Sequence, residues 1–196
     1  MTKKATLRAT SWLAAAGFLL ATNGAAFGDA PAIKADAFAE AFNKAAKDNR
    51  LENVAKLEKC KSGLRLRAWC RYRVSPRTII VVTARTTSAP ARTVTVLTSG
   101  KDNLAPIAAE DETLWPAVLQ LLSPEQTPEQ RKDSVTKFLA AVKSDRAGAT
   151  AQIGAIRYSA FADPKFGIWL DANLSATRTV TERIRNWRKQ FSDWRK

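Results

Sequence analysis

A strict alternation of side-chain type along residues 64–74 constrains the fold of this chain more than any other feature. One set of alternate positions holds Leu64, Leu66, Ala68, Cys70, Tyr72 and Val74. The positions between them hold Arg65, Arg67, Trp69, Arg71 and Arg73. Because successive side chains of a β-strand lie on opposite faces, this period of two predicts a strand with one buried face and one arginine-rich face.

Other segments also have the composition of strands. The run at residues 78–83 is continuously β-branched, which is typical of a central strand that is covered on both faces. Three more strands are predicted at residues 92–98, 152–161 and 166–172. A turn at residues 162–165 separates the last two, and residues 52–60 are ambiguous between strand and loop. The short links between strands favour antiparallel pairing.

Helical spacing of apolar residues predicts a helix over residues 35–48, with Asp36 as its N-cap. A second helix is predicted at residues 113–122, capped by Thr113, and the acidic triplet 110–112 before it is interpreted as a solvated turn. A third helix begins at Thr127, because proline and glutamine follow at the positions of a capping box.

The order of these elements is a helix, three or four strands, two helices, two strands and a last helix. Such segregation predicts an α+β fold. We expect residues 31–196 to form a single domain, with a mainly antiparallel sheet of about five to six strands and helices packed on it. The order of the strands within the sheet cannot be derived from the sequence.

The first thirty residues have the layout of a secretory signal peptide. A positive start at residues 3–8 precedes an apolar run at residues 12–21 and then small residues, so that cleavage is expected after Gly28 or Ala30. The apolar run is too short to span a bilayer, which takes about 20 residues. We therefore expect a periplasmic or secreted protein.

Cys60 and Cys70 are the only cysteines, and two cysteines in an exported chain most simply form one disulfide. A metal site is disfavoured, because the chain has no histidine to complete the ligand set. A tight turn at residues 61–63 would place Cys60 opposite residue 64 or 65. The disulfide would then need a bulge, a longer loop or a diagonal approach.

The first candidate site is the arginine-rich strand face, formed by Arg65, Arg67, Trp69, Arg71 and Arg73. Guanidinium groups suit phosphate and carboxylate, and a tryptophan among them can pack on a sugar ring or at a lipid interface. The alternative is a solvated sheet face in which acidic neighbours, for which Glu58 and Asp171 are candidates, balance the arginines.

The net charge supports anionic partners. The formal charge is +14, and it becomes +12 once the leader, with its three cations and one acid, is removed. Anionic envelope lipid or acidic polysaccharide are the expected partners, and export argues against nucleic acid.

The second candidate site is an amphipathic helix predicted for residues 179–196. Its proposed contact residues are Trp187, Arg188, Phe191 and Trp194. The helix can dock on the protein's own sheet, mediate contact with a protein partner or a second copy, or lie on a membrane surface.

The chain lacks the usual signatures of catalysis. It has no histidine, no nucleophile elbow and no phosphate-binding glycine loop, although a carboxylate pair such as Glu110 and Glu112 leaves the question of enzyme activity open. No cofactor is indicated. We expect an exported, non-catalytic binding module that contacts an anionic envelope component. The alternative is a protein–protein or homodimerisation module that uses the C-terminal helix.

Overall fold

The computed structural model describes residues 30–52, 54–63, 67–100, 105–144, 148–163 and 166–175. The elements in these ranges are α1 (Phe38–Asp48), β1 (Lys56–Gly63), β2 (Arg67–Arg73), β3 (Thr78–Ala84), β4 (Ala91–Thr98), α2 (Ala105–Leu122), α3 (Pro128–Ser144), β5 (Ala149–Ile153), β6 (Ile156–Asp163) and β7 (Gly167–Asn173). The predicted signal peptide and the predicted C-terminal helix lie outside the described residues.

The seven strands form one antiparallel sheet in the order β1-β2-β3-β4-β7-β6-β5. The first four strands follow one another as a meander, and the last three join it in reverse order through the β4–β7 pair. The predicted α+β class and antiparallel pairing are therefore confirmed. The number of strands is seven in the described part of the chain, and the prediction of five to six was wrong.

The three helices of the described residues pack on one face of the sheet, which we call the helix face. Phe38 of α1 lies against Tyr72 of β2, with ring centroids 5.5 Å apart. Phe138 of α3 lies against Tyr158 of β6, at 6.4 Å. Between them α2 contacts both other helices and buries Trp115 completely. The apolar core therefore lies between the helices and this face, and the opposite side is called the outer face.

Two of the predicted helix starts were wrong. The helix α1 has Ala37 at its N-cap position and no side-chain cap, so Asp36 does not cap it. The helix α2 begins at Ala105, so Thr113 lies within it and does not cap it. The hydroxyl of Thr113 donates to the carbonyl of Glu110 (2.8 Å) in the preceding turn of the helix. The acidic triplet 110–112 is therefore helical. By contrast, the capping box at the start of α3 is confirmed by two hydrogen bonds between Thr127 and Gln130.

Two strand boundaries also differ from the prediction. The chain remains extended as far as Gly63 in β1, so residues 61–63 form no turn. The predicted strand at residues 152–161 is two strands, β5 and β6, which are joined by a tight hairpin. Gly154 in that hairpin has a φ of 55°, a conformation that glycine adopts without the steric cost that a Cβ brings.

Candidate functional site

The outer face of the sheet carries three rows of side chains in register across neighbouring strands. The first row is Trp69, Thr83, Thr93, Asn173 and Arg157. The second row is Arg71, Val81, Thr95, Asp171 and Ser159. The third row is Arg73, Ile79, Leu97, Trp169 and Phe161. The face is therefore basic at β2. In its centre, the first two rows are mainly polar and the third row is apolar.

The edge strand β1 extends the basic side of the outer face. Lys61 pairs with Trp69, Lys59 with Arg71 and Lys56 with Arg73. Directly paired residues of antiparallel strands share one face, with Cβ atoms about 5 Å apart. We call the resulting set the basic patch: Lys56, Lys59, Lys61, Arg67, Arg71 and Arg73. The sequence did not predict that these lysines belong to the site, because the alternation that marked the arginines covers only residues 64–74.

A β-bulge places one acid within the basic patch. The register of β1 against β2 shifts between Leu57 and Lys59, so that an extra residue is accommodated there. The bulge brings Glu58 to the outer face, where its carboxylate lies 2.7 Å from Nε of Arg71 and 2.8 Å from Nε of Arg73. The hydrogen bond from Arg73, together with the positive charge of both guanidinium groups, lowers the pKa of Glu58.

The charge of the patch is only partly balanced by this acid. Its six cations stand against one carboxylate, and both ion pairs described for the patch end on Glu58. Two like charges about 5 Å apart repel by about 0.8 kcal/mol in water. Asp171, the other acid considered from the sequence, lies three strands away from Arg71 and accepts a hydrogen bond from Thr95 (2.7 Å). The patch therefore keeps a net positive charge.

The cystine fixes the two strands that carry the patch. Cys60 and Cys70 are directly opposite one another on the helix face, with Sγ atoms 2.00 Å apart and Cα atoms 4.1 Å apart. Neither a diagonal approach nor a bulge at the cysteines is needed, because residues 61–63 continue β1 and Cys60 pairs with Cys70 in register. The expected cysteine pair is thus present, and it ties the edge strand to the sheet directly beneath the basic patch.

The structure does not describe all of the predicted site residues. Trp69 is partly buried on the outer face of β2, between Lys61 and Thr83, and Arg67 is exposed at the start of this strand. The following predicted residues lie outside the described part of the chain: Arg65, Trp187, Arg188, Phe191 and Trp194. Their roles stay predictions.

A buried polar cluster on the helix face, which the sequence did not predict, joins α2 to β3 and β4. Glu110 accepts hydrogen bonds from Ser75 (2.5 Å) and Thr78 (2.6 Å). The hydroxyl oxygens of Thr78 and Thr98 are 3.0 Å apart, and Thr98 is hydrogen-bonded in turn to Asp111. The pairing of Thr78 with Thr98 in register brings the two hydroxyls together under the helix.

Asp111 is fully buried, and the interpretation of this acid as part of a solvated turn was wrong. Burial raises the pKa of Asp111 to about 8, and the nearby charge of Glu110 acts in the same direction, whereas the hydrogen bond with Thr98 lowers it. The carboxyl group is therefore mostly protonated at neutral pH. Asp111 has no access to solvent, and its hydrogen bond with Thr98 attaches α2 to β4.

No family model, curated protein or solved structure matches this chain. Among the residues that the structure describes, no three histidine, cysteine, aspartate or glutamate side chains are grouped as metal ligands. None of the described helices is both long enough and apolar enough to cross a membrane. The basic patch is thus the candidate site that the described residues define best.

Proposed function

We propose that this protein is an exported, non-catalytic binding module, and that the basic patch contacts an anionic component of the cell envelope. The observation that carries the proposal is the register of β1 and β2. It brings six cations to one face of a disulfide-linked hairpin and leaves one carboxylate among them.

The ligand class follows from the chemistry of the patch. Guanidinium groups bind phosphate or carboxylate through paired hydrogen bonds, while lysines contribute mobile point charges at the rim. Phospholipid headgroups and acidic polysaccharides both present such anions. The leader-like first thirty residues support a location in the envelope, where both are found.

The edge position of β1 offers a simpler explanation for the lysines. Charged side chains on an edge strand discourage its pairing with other chains, and lysine is especially suited to this. Arg67 and Arg73 are on β2, an interior strand, and edge protection does not explain them. The two explanations differ in whether removal of the cations weakens binding.

A charge-matched pair of variants tests the proposal. The triple variant Lys59→Gln, Lys61→Gln and Arg67→Gln removes three cations from the patch. The control Lys44→Gln, Lys132→Gln and Lys143→Gln removes three exposed cations from α1 and α3, in the helix layer. Each cation near an anionic surface contributes about 1 kcal/mol, so the first variant should bind anionic vesicles about 100-fold more weakly at low salt.

The measurement is an equilibrium titration of phosphatidylglycerol vesicles and, in a parallel arm, of a soluble polyuronate. If the patch variant loses affinity in only one arm, that arm shows whether the patch binds a lipid headgroup or an acidic polysaccharide. If the control variant loses as much affinity as the patch variant, net charge alone drives binding and the proposed site is wrong. Full binding by the patch variant would also reject the proposal.

A further inference from the structure

The centre of the outer face is apolar and buried, although all three described helices lie on the opposite side of the sheet. Val81 is 1% exposed, and Leu97 and Trp169 are 4% exposed each. Phe161 and Phe166 pack on the Trp169 ring, with centroids 5.3 and 6.3 Å away. A sheet face that is open to water normally carries polar side chains. This centre therefore has the character of a docking surface.

We propose that the docking surface receives the C-terminal segment of the same chain, residues 176–196. The strand β7 ends at Asn173 near the middle of the sheet and supplies Trp169 and Asp171 to this face. The segment that follows is thus tethered beside the surface, at an effective concentration that a separate partner does not have.

The length and the pattern of the segment fit this surface. Its apolar residues recur at spacings of four and three: Val180, Ile184, Trp187, Phe191 and Trp194. A helix over residues 179–196 would be about 27 Å long at 1.5 Å per residue. Seven strands about 4.8 Å apart make a sheet about 29 Å wide. One such helix is long enough to lay its apolar stripe against the apolar row on β3, β4, β7 and β6.

The charges of the surface and of the segment are complementary. Asp171 and Asp163 lie on the outer face, on β7 and β6, and Asp171 is almost fully buried. The segment carries an excess of cations: Arg178, Arg183, Arg185, Arg188, Lys189, Arg195 and Lys196 against Glu182 and Asp193. Opposite charges attract, so a basic segment suits this site better than an acidic one.

This docking goes beyond the proposed function and does not depend on it. The apolar centre is formed by β3, β4, β7 and β6, whereas the basic patch is on β1 and β2. A docked helix would turn its polar, arginine-rich side toward solvent on the same side of the sheet as the patch. The C-terminal helix would then be a structural part of this protein, and no partner would be needed to cover it.

Side-chain footprinting of the full chain tests this inference. Hydroxyl radicals oxidise accessible side chains, and mass spectrometry gives the rate for each residue. In the wild type, Trp169 should be oxidised as slowly as Tyr158, which is fully buried on the helix face. In Trp187→Asp, oxidation of Trp169 should rise severalfold while that of Tyr158 stays low. The neighbouring change Asn186→Asp adds the same charge on the polar side of the helix and should change neither rate.

The other occupants give different results. Rapid oxidation of Trp169 in the wild type, or equal protection in Trp187→Asp, would overturn the proposal. Protection that increases with protein concentration would assign the surface to a second copy of the chain. If Trp187→Asp exposes Tyr158 as well and has therefore unfolded, the milder Phe191→Ala replaces it, with the same expected rise at Trp169.

Discussion

The basic patch can be interpreted as an anion-binding face or as a solvated face whose arginines are balanced by acidic neighbours. Glu58 is the residue at which these two interpretations can be separated. Its carboxylate holds Arg71 and Arg73, and all three side chains are partly exposed to water. Exposed ion pairs contribute about 0–1 kcal/mol to stability, because solvent screens them and ordering the side chains costs entropy. The bulge that brings Glu58 to the outer face therefore contributes more to the charge and shape of the patch than to the stability of the fold.

We expect Glu58→Gln to tighten binding to phosphatidylglycerol vesicles, because it removes the carboxylate that competes with an anionic ligand for the two arginines. Its free energy of unfolding should change by less than about 1 kcal/mol. The control is Asp133→Asn, which removes an exposed acid from an ion pair with Lys137 on α3 (2.6 Å). Weaker binding by Glu58→Gln in the vesicle titration would mean that Glu58 orders the arginines for the ligand.

The elements differ in how far the sequence predicted them. The alternation along β2 and the capping box of α3 are local signals, and both were correct. The bulge in β1 could not be foreseen, because it depends on which residue of β2 lies opposite. The start of α2 was missed for a related reason. Asp111 looks like a surface residue until the fold places it against Thr98, which is distant from it until β4 and α2 are packed together.

The attachment of α2 to the sheet depends on a chain of hydrogen bonds. The hydroxyl of Thr98 donates to Asp111, and the hydroxyl of Thr78 lies within hydrogen-bonding distance of both Thr98 and Glu110. These hydrogen bonds connect the helix to strands β3 and β4.

This connection makes stability dependent on pH. The pKa of Asp111 is about 8 in the folded protein and 3.8 when the side chain is exposed to water, so the folded state retains a proton that the unfolded state releases. The contribution of Asp111 to the free energy of unfolding should thus fall as pH rises from about 4 to about 8, by up to about 1.4 kcal/mol per pH unit. Urea unfolding of the wild type and of Asp111→Asn should show a difference that shifts in favour of the variant across this range. Parallel pH profiles would contradict the assignment.

At the scale of the whole molecule, the residues that the structure describes form two layers with different surfaces. One side is a layer of three helices, and the other is a sheet face with a basic edge and an apolar centre. The composition predicted the charge, and the order of the predicted elements predicted the class of fold. It could not predict that β7 pairs with β4, because that contact joins segments on either side of two helices. That pairing creates the apolar centre, since it places Trp169 beside Leu97.

The arrangement of charge has a consequence for the molecule as a whole. The patch and the C-terminal segment are both basic, whereas α1 and α3 in the helix layer mix exposed acids (Glu40, Asp48 and Asp133) with exposed lysines (Lys44, Lys132 and Lys143). A protein with such asymmetry is attracted to an anionic surface with its outer face first. The attraction is electrostatic, and salt should weaken it by shortening the reach of the field.

The salt dependence of vesicle binding tests the central claim most directly. We expect the affinity of the full chain for phosphatidylglycerol vesicles to fall steeply as ionic strength rises from about 0.01 M to about 0.1 M, where the Debye length shortens from about 30 Å to about 10 Å. The triple variant Lys59→Gln, Lys61→Gln and Arg67→Gln should show a clearly shallower dependence than its helix-layer control. An affinity that does not change with salt, or that falls equally steeply in both variants, would contradict a role for the basic patch in binding anions.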